Sequence, residues 1–175
     1  QPRSRGLGDV YKRQGVDRIT TSAAASGDYP NGAYMWALKG FDFKSQEEKN
    51  IYHNQVKLAY QALNEYASDS QRYDSMSVER AADEIATKTM ISSYSKSYIE
   101  AYIQGLRDNG WVISNDLLNE LKSVAERNPA EVTAKLMAEI GRGNKKGKGK
   151  DFSTLGRAIM KHRSSGWSAV MELKN

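Results

Sequence analysis

The chain has 175 residues, of which 27% are charged, and it carries a formal net charge of +5. This length predicts one domain or at most two small ones, and the absence of cysteine excludes disulfides and thiolate metal sites. No apolar run approaches the ~20 residues of a membrane span, so we expect a cytoplasmic protein without a membrane partner.

The N-terminal segment 4–14 reads Ser-Arg-Gly-Leu-Gly-Asp-Val-Tyr-Lys-Arg-Gln. Its second part, 9–14, back-translates to GAT GTG TAT AAG AGA CAG, which resembles the transposon mosaic end of sequencing-library adapters. The five preceding residues match the adapter arm TCT CGT GGG CTC GGA. We therefore predict that 1–14 is adapter-derived and disordered, and that a native N-terminal part is missing. Residues 1–14 contain four basic residues and one acidic residue, a net charge of +3. The other residues therefore carry a net charge of +2. The alternative is a natural basic arm.

Residues 15–43 are predicted to form a small α+β piece. The β-branched residues of 15–22 favour a short strand, and 23–31 is rich in the residues of turns. Residues 32–39 can form two helical turns that end at Gly40, the residue type that most often follows a helix. Residues 41–43 alternate as a very short strand would.

The order of strand, loop, short helix and Gly-Phe resembles the C-terminal half of the GNAT acetyltransferase superfamily. Asn31, Ala33, Gly40 and Phe41 match the pattern Asn … Ala … Tyr-x-Lys-x-Gly-Phe of that family. In the family this helix lies beside acetyl-coenzyme A. The resemblance also implies that the two flanking strands lie side by side with the short helix across them.

If the resemblance holds, the cofactor would be acetyl-coenzyme A, and Asn31, Tyr34 and Trp36 would form part of its cleft wall. Trp36 stands where the family often has a tyrosine proton donor, and an indole cannot serve as that acid. The glycine-rich pyrophosphate loop of the family is absent from the sequence. The resemblance therefore implies an acyltransferase tail that is inactive alone. The alternative is an aromatic packing hinge between a small sheet and a helical bundle.

The pattern Asn-Gly-x-Tyr-x-Trp-x-x-x-Gly-Phe-Asp, from Asn31 to Asp42, also resembles segments of long multi-domain proteins of phages and mobile elements. This resemblance implies that the chain is part of a larger protein.

Residues 44–140 are predicted to form a helical bundle, because apolar residues recur there at spacings of three and four. The first helix starts with a capping box of Ser45 and Glu48 and ends near residue 67, and a polar link covers 69–75. The predicted caps of the following helices are Ser77, Asn115 and Asn128, the last followed by a proline in the first helical position and by a helix that ends at Gly141.

The residues Tyr94, Tyr98, Tyr102 and Leu106 are four apart and form one predicted stripe. Such a stripe usually packs into a core, and its alternative use is an interface in a structural or assembly protein.

Segment 141–150 reads Gly-Arg-Gly-Asn-Lys-Lys-Gly-Lys-Gly-Lys and is predicted to be a flexible basic loop. Its glycine spacing does not match a P-loop. Lys145, Lys146, Lys148 and Lys150 are the candidate contacts to nucleic acid or another polyanion. A solvated loop without a partner is the alternative. Segment 151–175 is predicted to form C-terminal helices, with no strand after residue 45.

The fold class predicted from these elements is mainly α, a helical bundle with a small α+β N-terminal edge. We predict no catalytic residue, and His53 and His162 lie too far apart in sequence to predict a metal site. The first functional hypothesis is a 5′-truncated fragment of a phage or mobile-element protein, a GNAT-like tail with a helical accessory module. The second is a non-enzymatic module that binds nucleic acid or another polyanion, and the third is an assembly protein.

Overall fold

A computed structural model describes residues 9–23, 32–110, 113–142, 155–161 and 167–173. It is mainly helical, with a small three-stranded antiparallel sheet, which confirms the predicted fold class. None of the helices in these ranges combines the length and the apolar character that a membrane span requires.

The α-helices that follow β1 are α1 (Gly32–Leu38), α2 (Gln46–Ser68), α3 (Ser70–Asp74), α4 (Val78–Thr89), α5 (Lys96–Asp108), α6 (Asn115–Glu126), α7 (Ala134–Ala138) and α8 (Leu155–Lys161). The strands are β1 (Arg18–Ala23), β2 (Asp42–Phe43) and β3 (Trp167–Glu172). Two 3₁₀-helices span Ser93–Ser95 and Pro129–Glu131. Residues 9–13, which the sequence predicts to be disordered, are helical.

The sheet has the strand order β1-β3-β2, and β3 is antiparallel to both neighbours. Ile19 lies opposite Met171, and both Thr21 and Phe43 lie opposite Ala169. These side chains lie on the face of the sheet that the helices cover. Arg18, Thr20 and Ser22 alternate with them along β1 and are exposed. The alternation is the period of two that a half-buried strand requires.

The prediction of helices after residue 150 is wrong for the C-terminus, where β3 is the central strand of the sheet. Trp167 and Ala169 are buried while Ser168 and Glu172 are exposed, so the local pattern is that of a strand. The partners of β3 come from the first 43 residues, and a strand of six residues gives no local indication of such distant pairing.

The strand arrangement that the GNAT resemblance implies is also not observed. β3 lies between β1 and β2, so these two strands are parallel to each other but not adjacent. Helix α1 does contact β1, and it also contacts α7 and α8.

Side-chain caps start α2, α4, α6 and α7, and two of the predicted cap interactions are corrected here. The Ser45 hydroxyl accepts the Glu48 N–H, as predicted, but the Glu48 carboxylate accepts the N–H of Ser168 in β3 at 3.0 Å. The cap of α6 is Ser114 and not Asn115, because the Ser114 hydroxyl accepts the N–H of Leu117 in the first turn.

The predicted polar link 69–75 contains the short helix α3. The helix predicted from Asn128 is instead a 3₁₀ turn followed by α7, which is capped separately by Thr133. Both segments are so short that tertiary contacts determine their structure. The periodicity of so few residues does not predict it.

The apolar residues form two clusters. The first lies under the sheet and joins α1, α6, α7 and α8 to one face of α2. The second lies between α3, α4, α5 and the C-terminal part of α2. The partly buried side chains of Leu58 and Ile113 pack against both clusters, so α2 is the element on which both are built.

Candidate functional site

The motif 31–43 is the first predicted site. Asn31 lies outside the described residues. Tyr34 is 1% exposed, and its hydroxyl has no hydrogen-bond partner among the described residues. The Arg157 guanidinium lies 5.9 Å from the Tyr34 ring centroid. Trp36 is half-buried and packs edge-on against Phe41, with ring centroids 4.8 Å apart. A buried Tyr34 is not positioned as the wall of an open cleft.

Asp42, near the end of the motif, connects β2 to the helical layer. Its Oδ1 accepts the N–H of Phe43 at 2.8 Å and the N–H of Ala134, in the first turn of α7, at 3.0 Å. Its Oδ2 lies 3.4 Å from Lys49 Nζ, which also donates to the carbonyl of Ala130. A carboxylate at a helix N-terminus satisfies a donor that would otherwise be unpaired. These contacts support the interpretation of the motif as a packing hinge.

The tyrosine stripe is divided by the structure. Tyr102 is fully buried in α5, its hydroxyl donates to Gln55 Oε1 at 2.8 Å, and burial raises the pKa of its phenol. Tyr98 is half-buried. Tyr94 lies in the 3₁₀ turn before the helix and is 92% exposed. Only Tyr94 is therefore presented to a partner as the assembly hypothesis requires.

The four lysines of the basic segment, Lys145, Lys146, Lys148 and Lys150, lie outside the described residues, but the ends of that segment are described. The N–H of Gly156 in α8 donates to the carbonyl of Ile140, just after α7, at 2.9 Å. A Cβ at position 156 would overlap backbone oxygens of α7, so glycine permits this close approach. Ile140 and Gly156, which lie on either side of segment 143–154, are thus in direct contact.

Glu120 of α6 holds the first end of this segment. Its two carboxylate oxygens accept the N–H of Gly141 at 3.3 and 3.2 Å, and Gly141 has φ +83°. Burial raises the pKa of the Glu120 carboxyl, and the hydrogen bond from Gly141 opposes that rise. Arg142 follows and is exposed, with Nη1 at 3.5 Å from Glu139. We call these contacts, made by Glu120, Ile140, Gly141 and Gly156, the loop base.

A polar cluster lies between α2, α3 and α5, and no sequence motif indicates it. The Tyr66 hydroxyl donates to Asp74 and accepts from Arg107 Nη2. Arg107 also donates to the carbonyls of Tyr73 at 2.7 Å and Met76 at 2.8 Å. Arg107 lies 34 and 31 residues after these two carbonyls, and no sequence spacing relates such distant positions.

A pocket of about 180 Å³ lies beside this cluster and is lined by Tyr66, Asp74, Arg107 and the apolar side chains of Ile103 and Leu106, among others. Burial raises the pKa of the Tyr66 phenol and its hydrogen bond to Asp74 adds to that rise, whereas Arg107 opposes it. The pocket is smaller than the ~300–1,000 Å³ of most ligand sites. Arg107 donates to groups of the protein itself, so the cluster holds α3 against α5.

Comparisons of the chain with protein-family models, with curated proteins and with solved structures find no match. The resemblances to the GNAT superfamily and to phage and mobile-element proteins therefore stay predictions. In the part of the chain that the structure describes, no group of His, Asp and Glu side chains could hold a metal ion.

Proposed function

We propose that this chain is a cytoplasmic, non-enzymatic helical module that binds nucleic acid or another polyanion through Lys145, Lys146, Lys148 and Lys150. The observation that supports this function is the loop base. It joins the two ends of segment 143–154 through the hydrogen bond between Gly156 and Ile140. The described residues on either side of this segment therefore lie close together.

The charge of this segment fits a polyanion. Residues 142–150 contain Arg142 and the four lysines, without an acidic residue among them. A phosphate backbone binds such a group mainly by releasing counterions, which makes the affinity depend on salt. No aromatic residue lies between the lysines, so we expect contacts to phosphates and little base preference.

The test is the salt dependence of binding to a labelled DNA duplex of mixed sequence, measured by fluorescence anisotropy. Four neutralised phosphates predict a slope of log K against log salt of about −3 to −4. Replacing the four lysines by alanine should remove most of the affinity and flatten this slope. Heparin in place of DNA then shows whether the site distinguishes nucleic acid from other polyanions.

The matched control is a chain in which Lys44, Lys57, Lys122 and Lys135 become alanine. These four lysines are exposed, and the variant has the same net charge as the first one. It should bind almost as the wild type does. If both variants lose affinity equally, binding follows from net charge alone and the proposal is wrong, as it is if the wild type does not respond to salt.

The second candidate function is the tail of a GNAT-like acyltransferase from a phage or mobile element. Its support is the order β1, α1, β2 and the position of Gly40, with φ +93°, at the end of α1. The intervening β3 and the buried Tyr34 count against it. We expect no turnover of acetyl-coenzyme A by the purified chain in a thiol-release assay. Turnover well above background would contradict this expectation.

A further inference from the structure

The two edges of the sheet differ in how they are protected. β2 has two residues, and it contacts α7, to which Asp42 is bonded. β1 has six residues and contains no proline, and Arg18 at its start is its one charged residue of the kind that protects an edge. Among the described residues, β1 has a strand on one side only. We call the other side of β1, which pairs with no described strand, the open side.

The groups on this open side follow from the register. The carbonyl of Asp17 accepts the N–H of Leu173 at 2.8 Å, one step beyond the pair Arg18 and Glu172. In an antiparallel ladder, alternate residues direct both their N–H and C=O groups to the same neighbour. Ile19, Thr21 and Ala23 thus bond to β3, and Arg18, Thr20 and Ser22 present their backbone groups to the open side.

We propose that β1 pairs antiparallel with β1 of a second copy of this chain, with the two-fold axis at Thr20. In this register Thr20 of one copy forms a hydrogen-bonded pair with Thr20 of the other. Arg18 pairs with Ser22 in the same way, so every backbone group on the open sides of both strands gains a partner. The two sheets become one sheet of six strands.

The side chains of β1 fit this register. Arg18 lies opposite a serine rather than another cation, and it already pairs with Glu172 of its own chain at 2.9 Å. Ile19 lies opposite Thr21 on the helix-covered face, and both are only half-buried in one copy. Cross-strand pairs of threonines and β-branched residues stabilise antiparallel sheets. Pairing with a second copy therefore gives the backbone groups of this edge hydrogen-bond partners and places no like charges opposite each other.

The test compares Thr20→Pro with Thr20→Val by light scattering after size-exclusion chromatography, over a range of protein concentrations. Proline removes the N–H of position 20, which points away from β3, so the ladder within one copy remains. Valine keeps that N–H and the β-branched shape. We expect dimers of the wild type and of Thr20→Val and a folded monomer of Thr20→Pro. A monomeric wild type at high concentration, or a dimeric Thr20→Pro, overturns the proposal.

A second measurement needs no variant. Hydrogen exchange of the Thr20 and Ser22 amides should slow as the wild-type concentration rises, while exchange of the Thr21 amide, which bonds to β3, should change far less. Exchange at Thr20 that is independent of concentration overturns the proposal even if Thr20→Pro fails to fold. Pairing with an unrelated peptide instead would leave the pure chain monomeric.

Discussion

At the residue scale, His53 is a buried side chain whose ionisation differs between the folded and unfolded states. It is 1% exposed, and its Nε2 donates to the carbonyl of Val124 at 3.1 Å. Burial lowers the pKa of His53 below its ordinary value of 6.5; the hydrogen bond to Val124 opposes this, and the charge of Lys57 adds to it.

The sign of the pH effect follows from this lowered pKa. As the pH falls below 6.5, the unfolded chain takes up a proton at His53 and the folded chain does not, so the free energy of unfolding decreases. The contribution of His53 to the free energy of unfolding is fully present above pH 6.5. It is lost as the pH falls toward the lower pKa of the folded state. We predict that His53→Gln, which retains a donor for Val124, removes this slope.

The measurement is urea unfolding of both proteins from about pH 8 to about pH 5, where histidine titrates. The difference between the two proteins isolates His53, because carboxylates such as Glu120 titrate in both. Equal slopes for the two proteins would show that His53 has the same pKa in the folded and unfolded states.

At the element scale, the sequence predicts those elements that carry their own signals. α2 and α4 combine a serine cap with a long amphipathic face, and both start where the sequence indicates. α3 and α7 have five residues each, too few for periodicity to define them. β3 has the right alternation, but only its pairing with β1 and β2 makes it the central strand.

The candidate sites were less predictable because they depend on contacts between distant residues. The sequence identifies the lysines of 145–150 by composition, yet the loop base comes from Glu120 and Gly156, on two other helices. The aromatic motif is easy to find in sequence. Its role depends on Asp42, whose bond to Ala134 spans 92 positions and is not indicated by any local pattern.

The loop base also gives a prediction about two glycines in helices. Gly156→Ala should lower the free energy of unfolding by about 1–3 kcal/mol, because the new methyl group overlaps the carbonyl oxygens of Met137 and Ala138. Gly105→Ala is the control, since nothing lies within 4 Å of its added Cβ in the interior of α5. There alanine should stabilise by about 0.5–1 kcal/mol.

Chemical denaturation of both variants measures these effects. Equal changes of one sign for the two substitutions would mean that helix propensity, not the close approach of α7 and α8, determines the result.

At the scale of the whole molecule, the two apolar clusters stabilise different parts of the fold. The first holds the sheet, α1 and α6 to α8, and the second holds α3 and α4 against α2 and α5. α5 serves both, with Tyr102 in the first cluster and Ile103 in the second. α4 belongs to the second cluster alone, so its protection from local opening depends on that cluster.

The two clusters predict which elements lose protection when a substitution creates a cavity. Ile85 is fully buried in α4, and Ile85→Ala should cost about 2–5 kcal/mol, mostly by lost burial in the second cluster. Leu121, fully buried in α6, is the matched site in the first cluster. Proteins open locally in contiguous units, so each cavity should accelerate exchange first in the elements of its own cluster.

Hydrogen exchange followed by mass spectrometry distinguishes the two variants. In Ile85→Ala the amides of α3 and α4 should lose protection while those of β1 and β3 keep it, and in Leu121→Ala the order should reverse. If each variant instead lowers protection in all elements by the same amount, the two clusters act as one cooperative core. In that case the 23-residue helix α2, which both clusters share, transmits the whole of each loss across the molecule.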